Sequence, residues 1–287
     1  MTDTAISVEH VTYRYRNGFQ ALNDVSFSIQ KNEFVAIIGQ NGAGKSTLLK
    51  NLVGLYKPTQ GNIVVDGVNT RDISVARLST KIGFVLQNPD RQLFADTVEE
   101  EITFGPRNLK LDQAEIDRRL ERALEMTGLG PLRKEFPMAL SAGDRAKVVI
   151  ASVIAMDPEI IILDEPTTGQ DRRGCAQIME IARDFQQRGF TVVVVTHHMA
   201  LVAEYAQRVI VMCKGRQLLD GPTAEVFAQA ERLREAFVMP PQVTQLAAQL
   251  YPQLKQQQAV LRTQELAGMI AQSVSPDIRG KECELRR

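Results

Sequence analysis

The chain has 287 residues, 34 Lys and Arg against 34 Asp and Glu, and a hydrophobic fraction of 44%. The zero formal charge lacks the basic excess of a dedicated nucleic-acid binder, so no nucleic-acid partner is expected, and the ordinary composition excludes a disordered or fibrous chain. Cys175, Cys213 and Cys283 lie far apart with no CxxC pair, which argues against a zinc site or disulfide framework and for a reducing, cytosolic setting. The opening MTDTAISVEH lacks the segments of a signal peptide, and no run approaches the ~18 apolar residues of a membrane helix. Any membrane role is therefore expected to be peripheral.

Taken in chain order, Val8 to Tyr15 and Val25 to Ile29 alternate apolar and polar residues around an Asn17-Gly18 turn. That period of two predicts a small antiparallel sheet. Phe34–Ile38, Ile160–Leu163, Val192–Val195 and Val209–Met212 are short runs apolar on both faces, as buried central strands are. Strands alternating with helical stretches up to about residue 220 predict an α/β fold with a mostly parallel sheet. Glu115–Glu125 reads as an amphipathic helix, and Ser141 to Met156 as a capped start followed by an apolar helix. After Gly221-Pro222 the chain turns rich in Gln, Ala and Leu, broken at Pro240-Pro241 and Pro252. The expected division is a domain over 1–222, with a helical subdomain at about 90–157, and a helical extension over 223–287. The residues from Pro276 are expected to fray.

Gly39-Gln40-Asn41-Gly42-Ala43-Gly44-Lys45-Ser46 fits GxxxxGK[ST] directly after the strand Phe34–Ile38. Glycines let successive backbone N–H groups turn inward onto phosphate oxygens. Lys45 supplies a mobile positive charge, Ser46 a hydroxyl for Mg²⁺, and the helix that follows aims its positive end at the anion. Asn41, Gly42, Ala43, Gly44 and Thr47 complete the expected cradle. Ile160 to Leu163 then ends in Asp164 and Glu165. The first is placed to hold Mg²⁺ through water and the second to polarise an attacking water.

A phosphate loop alone leaves kinases, GTPases, helicases and transport ATPases open. Leu140-Ser141-Ala142-Gly143-Asp144, about 20 residues before Asp164, with Gln87, Asp171 and His197, resembles the nucleotide-binding subunit of ABC transporters, whose signature reads LSGGQ. The resemblance spans residues 6 to about 220. It implies a P-loop NTPase core with an N-terminal antiparallel β subdomain, a helical signature subdomain and ATP with Mg²⁺ as ligands. It further implies that Tyr15 stacks on adenine, with Tyr13 the competing aromatic. Gln87 would contact Mg²⁺ and the attacking water, and His197 the γ-phosphate. Ser141, Gly143 and Asp171 would complete the site of a second, head-to-tail subunit. His198 is expected exposed or capping the next helix.

Three departures stand out. Ala142 replaces glycine, Asp144 replaces glutamine and Gln170 replaces leucine before Asp171. A Cβ and a negative charge beside phosphates predict a weaker ATP site at this signature; the second ATPase subunit is expected in a homo- or heterodimer, the altered signature favouring the asymmetric one. The run LQNPDRQLF followed by TVEEEITFGP looks like the ATPase subunits of energy-coupling factor importers. That likeness implies a peripheral place on the cytoplasmic side of the cell membrane, with a transmembrane coupling protein and a substrate-binding membrane protein as partners. Gln92, Leu93 and Phe94 are expected to form the apolar edge on which a partner helix docks. A soluble ABC ATPase without a transporter, or a weakly hydrolysing ATP switch, are the alternatives.

Overall fold

A computed structural model describes residues 3–252 and 258–274. Cys283 and the stretch from Pro276, expected to fray, lie outside the described residues.

Two strands open the chain, β1 (Thr4–Arg14) and β2 (Gln20–Gln30). They pair antiparallel across the Asn17-Gly18 turn, with Val8 opposite Phe27 and Val11 opposite Val25. The expected hairpin is present: β1 begins four residues earlier but stops at Arg14, one short of Tyr15, and β2 is longer at both ends. Two further strands, β4 (Gln60–Val65) and β5 (Val68–Asn69), extend it into a four-stranded sheet in the order β2-β1-β4-β5. The short β5 carries too few residues to show an alternation.

The second sheet holds the site. Its strands are β3 (Phe34–Ile38), β6 (Ile82–Val85), β7 (Ile160–Asp164), β8 (Thr191–Val195), β9 (Arg208–Cys213) and β10 (Arg216–Pro222), in the order β10-β9-β3-β8-β7-β6. All neighbours run parallel except β10, which returns antiparallel along β9. Every residue of β3, β7 and β8 is buried. Full burial on both faces is what the unbroken aliphatic runs demanded, because helices cover each side of a parallel sheet.

Helix α1 (Lys45–Leu52) follows β3, and its Leu48, Leu49 and Leu52 are fully buried. The helices α2 (Val75–Leu78), α3 (Val98–Asn108), α4 (Gln113–Thr127) and α5 (Ala142–Ala155) follow in order. The helix α3 lies within the helical subdomain expected at about 90–157 and carries Pro106 inside it. The proline sits near the helix end, and the orphaned turn is closed by Leu109 N–H donating to Gly105 O at 3.0 Å. Thr97 caps α3, Asp112 caps α4 and Ser141 caps α5, each by a side-chain oxygen. The helices α6 (Arg172–Gln187) and α7 (Met199–Tyr205) complete the layers.

After Pro222 come α8 (Thr223–Ala228), α9 (Ala230–Glu235), α10 (Gln242–Leu250) and α11 (Thr263–Val274). Val226, Phe227, Leu233, Ala236 and Val238 join the buried cluster that holds Phe34, Val192 and Val209 of the main sheet. The start of this segment therefore packs as part of the sheet's own core. No described helix is long and apolar enough to cross a membrane.

Candidate functional site

The parallel strands β3, β7 and β8 end side by side, so the loops that leave them converge at one sheet edge. The loop after β3 turns through three glycines at positive φ, Gly39 (+146°), Gly42 (+80°) and Gly44 (+101°). A Cβ on Gly39 would lie 2.2 Å from Met212 O, and on Gly44 2.7 Å from Ala21 O. Both positions thus exclude any side chain on space as well as on backbone angle. Lys45 is buried at the first turn of α1, and its Nζ donates to Gly39 O at 2.6 Å and Gln40 O at 3.0 Å. Burial pushes its pKa down, while Glu165 and Asp164 pull it back up. Ala43 is buried beneath the loop, its N–H donating to Gln40 O at 3.1 Å, and it is the one loop residue of the expected cradle that does not line the cleft.

Asp164 closes β7. Burial first, then the neighbouring Glu165 charge, pushes its carboxyl up to about 6. Glu165 follows with φ +50°, its N–H donating to Val195 O at 2.8 Å. A non-glycine residue in this left-handed region costs about 1–3 kcal/mol and persists where the surrounding structure holds it. Glu165 Oε2 lies 2.7 Å from His197 Nδ1, and the carboxylate is 11% exposed against 62% for the imidazole. The strand β8 ends at Val195, as expected, and buried Thr196 and then His197 lead into α7. His198 occupies the capping position of α7, but its side chain makes no capping bond.

The loop after β3 and the acidic pair open onto a cleft of about 270 Å³, which His197 does not itself line but meets through Glu165. It brings together Tyr15, Asn41, Gly42, Gly44, Lys45, Ser46, Thr47, Gln87, Asp164 and Glu165. Two buried carboxylates face one buried ammonium, so the cleft carries uncompensated negative charge. Exposed Ser46 and the Gln87 amide add neutral oxygens, the hard donor set that a Mg²⁺ ion takes. The residues present therefore fit the metal that the sequence implied.

Sequence reasoning missed Phe19, which lines the cleft and is 62% exposed. Its ring stacks near Tyr15 at 6.4 Å and 23°. The signal was an aromatic directly beyond the Asn17-Gly18 turn, opposite another aromatic on the same hairpin. Tyr15 OH also bonds Thr47 Oγ1 at 2.9 Å, whereas Tyr13 stacks flat on Tyr56 at 5.0 Å and does not line the cleft.

Ser141, Gly143 and Asp171 do not line this cleft. Ser141 caps α5, and its hydroxyl is 2.7 Å from Asp144 Oδ2 while accepting from Asp144 N–H at 3.2 Å. Lys147 Nζ lies 3.3 Å from the same carboxylate. The Ser141 proton is thereby committed to Asp144 within the chain. Asp171 caps α6 through Gly174 N–H at 2.7 Å. The expected edge of Gln92, Leu93 and Phe94 needs correction. Gln92 folds back to accept from Leu86 N–H at 2.7 Å and donate to Phe84 O at 3.1 Å, and Leu93 is buried. Only Phe94 points out, at 61% exposure, joined edge-on at 4.6 Å by Phe104.

Residues 22–168 match the ABC transporter family. The chain is 42% identical over 255 residues to an energy-coupling factor transporter ATP-binding protein of Clostridium perfringens, covering 86% of this chain and 90% of that one. A putative ABC transporter ATP-binding protein of Methanosarcina acetivorans is 43% identical over 249 residues, 87% of this chain. The chain spans only 41% of that relative's length. Among solved structures, cbiO1 of Clostridium perfringens, part of the ABC transporter complex cbiONQ, superposes with a TM-score of 0.76 at 36% identity, over 88% of this chain and 98% of that one. A dimeric ATP-binding cassette holding ADP and phosphate after hydrolysis gives 0.68 at 31% identity, over 76% and 98%. With the phosphate loop, the acidic pair and the Glu165–His197 contact assembled at one sheet edge, and with likeness of this extent, the chain belongs to the ABC transporter family.

Proposed function

We propose that this chain binds and hydrolyses Mg²⁺-ATP as one of two ATPase subunits that power uptake of a small solute, a vitamin or a transition-metal ion. In this reading it lies on the cytoplasmic side of the cell membrane. It docks there on a transmembrane coupling protein associated with a substrate-binding membrane protein, as in energy-coupling factor importers. The observation that carries hydrolysis is the Glu165–His197 contact of 2.7 Å beside buried Lys45 and Asp164. A regulatory module that only binds ATP has no use for a cleft carboxylate held against a histidine.

Each residue's part follows from its setting. The loop N–H groups and Lys45 take the phosphates, while Tyr15 and Phe19 offer faces to the base. Ser46, Gln87 and Asp164 would hold Mg²⁺, which supplies charge neutralisation at the phosphates when bound. Glu165 is shielded from solvent and accepts a proton from a water placed in the cleft, the general-base role. His197 engages the Glu165 carboxylate through Nδ1, so it would donate to a phosphate oxygen through Nε2 only as the imidazolium, in which both ring nitrogens carry a proton. Ser141 and the start of α5 would face the partner's nucleotide, with Asp144 weakening that contact. Phe94 and Phe104, with the apolar groove formed by Leu55, Val75, Leu78, Phe84 and Val153, support docking of an apolar membrane partner.

The test measures Mg²⁺-dependent ATP binding and single-turnover hydrolysis. Glu165→Gln is expected to bind ATP like the parent and hydrolyse it roughly 10²–10⁴-fold more slowly. Lys45→Ala is expected to lose binding. Binding unchanged in Lys45→Ala, or no Mg²⁺-dependent binding by the parent, overturns the reading. Co-purification with membrane subunits separates it from a soluble ABC ATPase.

A further inference from the structure

Glu101 plays no part in the nucleotide cleft, yet it is only 5% exposed. A buried carboxylate is costly unless hydrogen-bonded donors replace its water. Its Oε2 accepts from two consecutive backbone N–H groups, those of Phe94 and Ala95, each at 2.9 Å. It also stands near the start of α3, where the helix dipole favours a negative charge. One turn further along the same helix, Phe104 meets the Phe94 ring edge-on at 4.6 Å. A single helix thus grips Phe94 twice, by its backbone through Glu101 and by its ring through Phe104. On the other side, Leu93 is buried and the Gln92 side chain bonds Leu86 and Phe84. The loop that starts at Gln87 in the cleft therefore ends in a rigid mount, with a large ring at 61% exposure.

We infer that Glu101 is a positioning residue for the membrane partner: it holds Phe94 outward, ready to enter an apolar recess of a transmembrane subunit. The inference rests on the transporter reading above. An aromatic anchor fixed before association loses little freedom on binding, and such anchors dominate interface energetics. A loop released from Glu101 would let Phe94 turn toward its own apolar neighbours. The two N–H groups need an acceptor oxygen at that reach, so glutamine suffices, whereas aspartate falls short by one methylene and leucine offers no oxygen.

The experiment uses the full chain and washed inside-out membrane vesicles from the cells that produce it. It measures sedimentation with the vesicles, ATP hydrolysis by the unbound protein, and exchange of the Phe94 and Ala95 amides. Glu101→Gln is expected to match the parent in all three. Glu101→Asp and Glu101→Leu are expected to bind vesicles roughly tenfold more weakly, with faster exchange at both amides and hydrolysis unchanged. Should Glu101→Leu fail to fold, Glu101→Asp decides alone. Parental vesicle binding by Glu101→Asp overturns the inference, as does loss of hydrolysis in step with binding, which marks a purely structural role. A parent that hydrolyses ATP but never sediments with vesicles overturns the transporter reading together with the inference built on it.

Discussion

Replacing Gly39 and Gly42 separately by alanine distinguishes a glycine that the fold needs from one that the ligand needs. At Gly39 the backbone has φ +146°, and a Cβ would lie 2.2 Å from Met212 O. A backbone region reserved for glycine costs about 1–3 kcal/mol, and forcing a methyl into a filled space about 1–3 kcal/mol more. The neighbour is a β9 carbonyl with no freedom to rotate away, so the loop must move, and Gly39 O leaves the Lys45 ammonium 2.6 Å from it. For a chain of this size, the combined cost lowers Tm by roughly 5–15 °C. At Gly42 φ is +80° and nothing lies within 4 Å of the added Cβ. There only the left-handed backbone is penalised, by about 1–2 kcal/mol, or roughly 2–6 °C. Gly42 lines the cleft, however, so its methyl stands where a phosphate would approach. Calorimetry without nucleotide is expected to rank Gly39→Ala well below Gly42→Ala, while titration with Mg²⁺-ATP finds both impaired. Equal Tm losses, or a Gly39→Ala within 2 °C of the parent (a shift of under about 1 kcal/mol), refute the steric argument.

Three further outcomes are expected. Ala142→Gly with Asp144→Gln frees the Ser141 hydroxyl from the carboxylate 2.7 Å away and removes a charge that, in the proposed dimer, would face the partner's phosphates. ATPase turnover of the assembled dimer should rise, and an unchanged rate counts against this account of the altered signature. Because burial and Glu165 hold the Asp164 carboxyl at about 6, Mg²⁺-ATP affinity should be flat above that pH and fall by roughly tenfold per pH unit below it. With its folded pKa raised, Asp164 favours the nucleotide-free fold at low pH and that contribution is lost as pH rises through about 6. Asp164→Asn should then raise the nucleotide-free Tm at pH 8 (well above the shifted carboxyl) while abolishing Mg²⁺-dependent stabilisation, and an affinity independent of pH would refute this. Asp66 is the opposite case: Lys81 and Lys31 bond it and hold its carboxyl at about 2 rather than 3.8. Its contribution, about 1–2 kcal/mol after allowing for partial exposure, is present above pH 3.8 and lost as pH falls toward 2. Denaturant melts of Asp66→Asn should show that deficit at neutral pH and converge with the parent in acid.

Much of this protein was legible residue by residue wherever local chemistry and long-range packing demand the same thing. The glycines of the phosphate loop, the aliphatic strands Phe34–Ile38 and Ile160–Asp164, and the Ser141 cap each satisfy a requirement that lies within a few residues of themselves. So did the Asn17-Gly18 hairpin and the helix after Ser141. Glu101 and the fate of Gln92 and Leu93 were decided by tertiary structure alone. Each depends on which neighbour arrives from elsewhere: two loop amides above α3, the strand end at Phe84. Alternation and motif spacing report a residue's own element, whereas burial of a charge or exposure of a ring is set by the element packed against it. The Glu165–His197 contact combines both, since strand order brings together two loop residues separated by a whole βαβ unit.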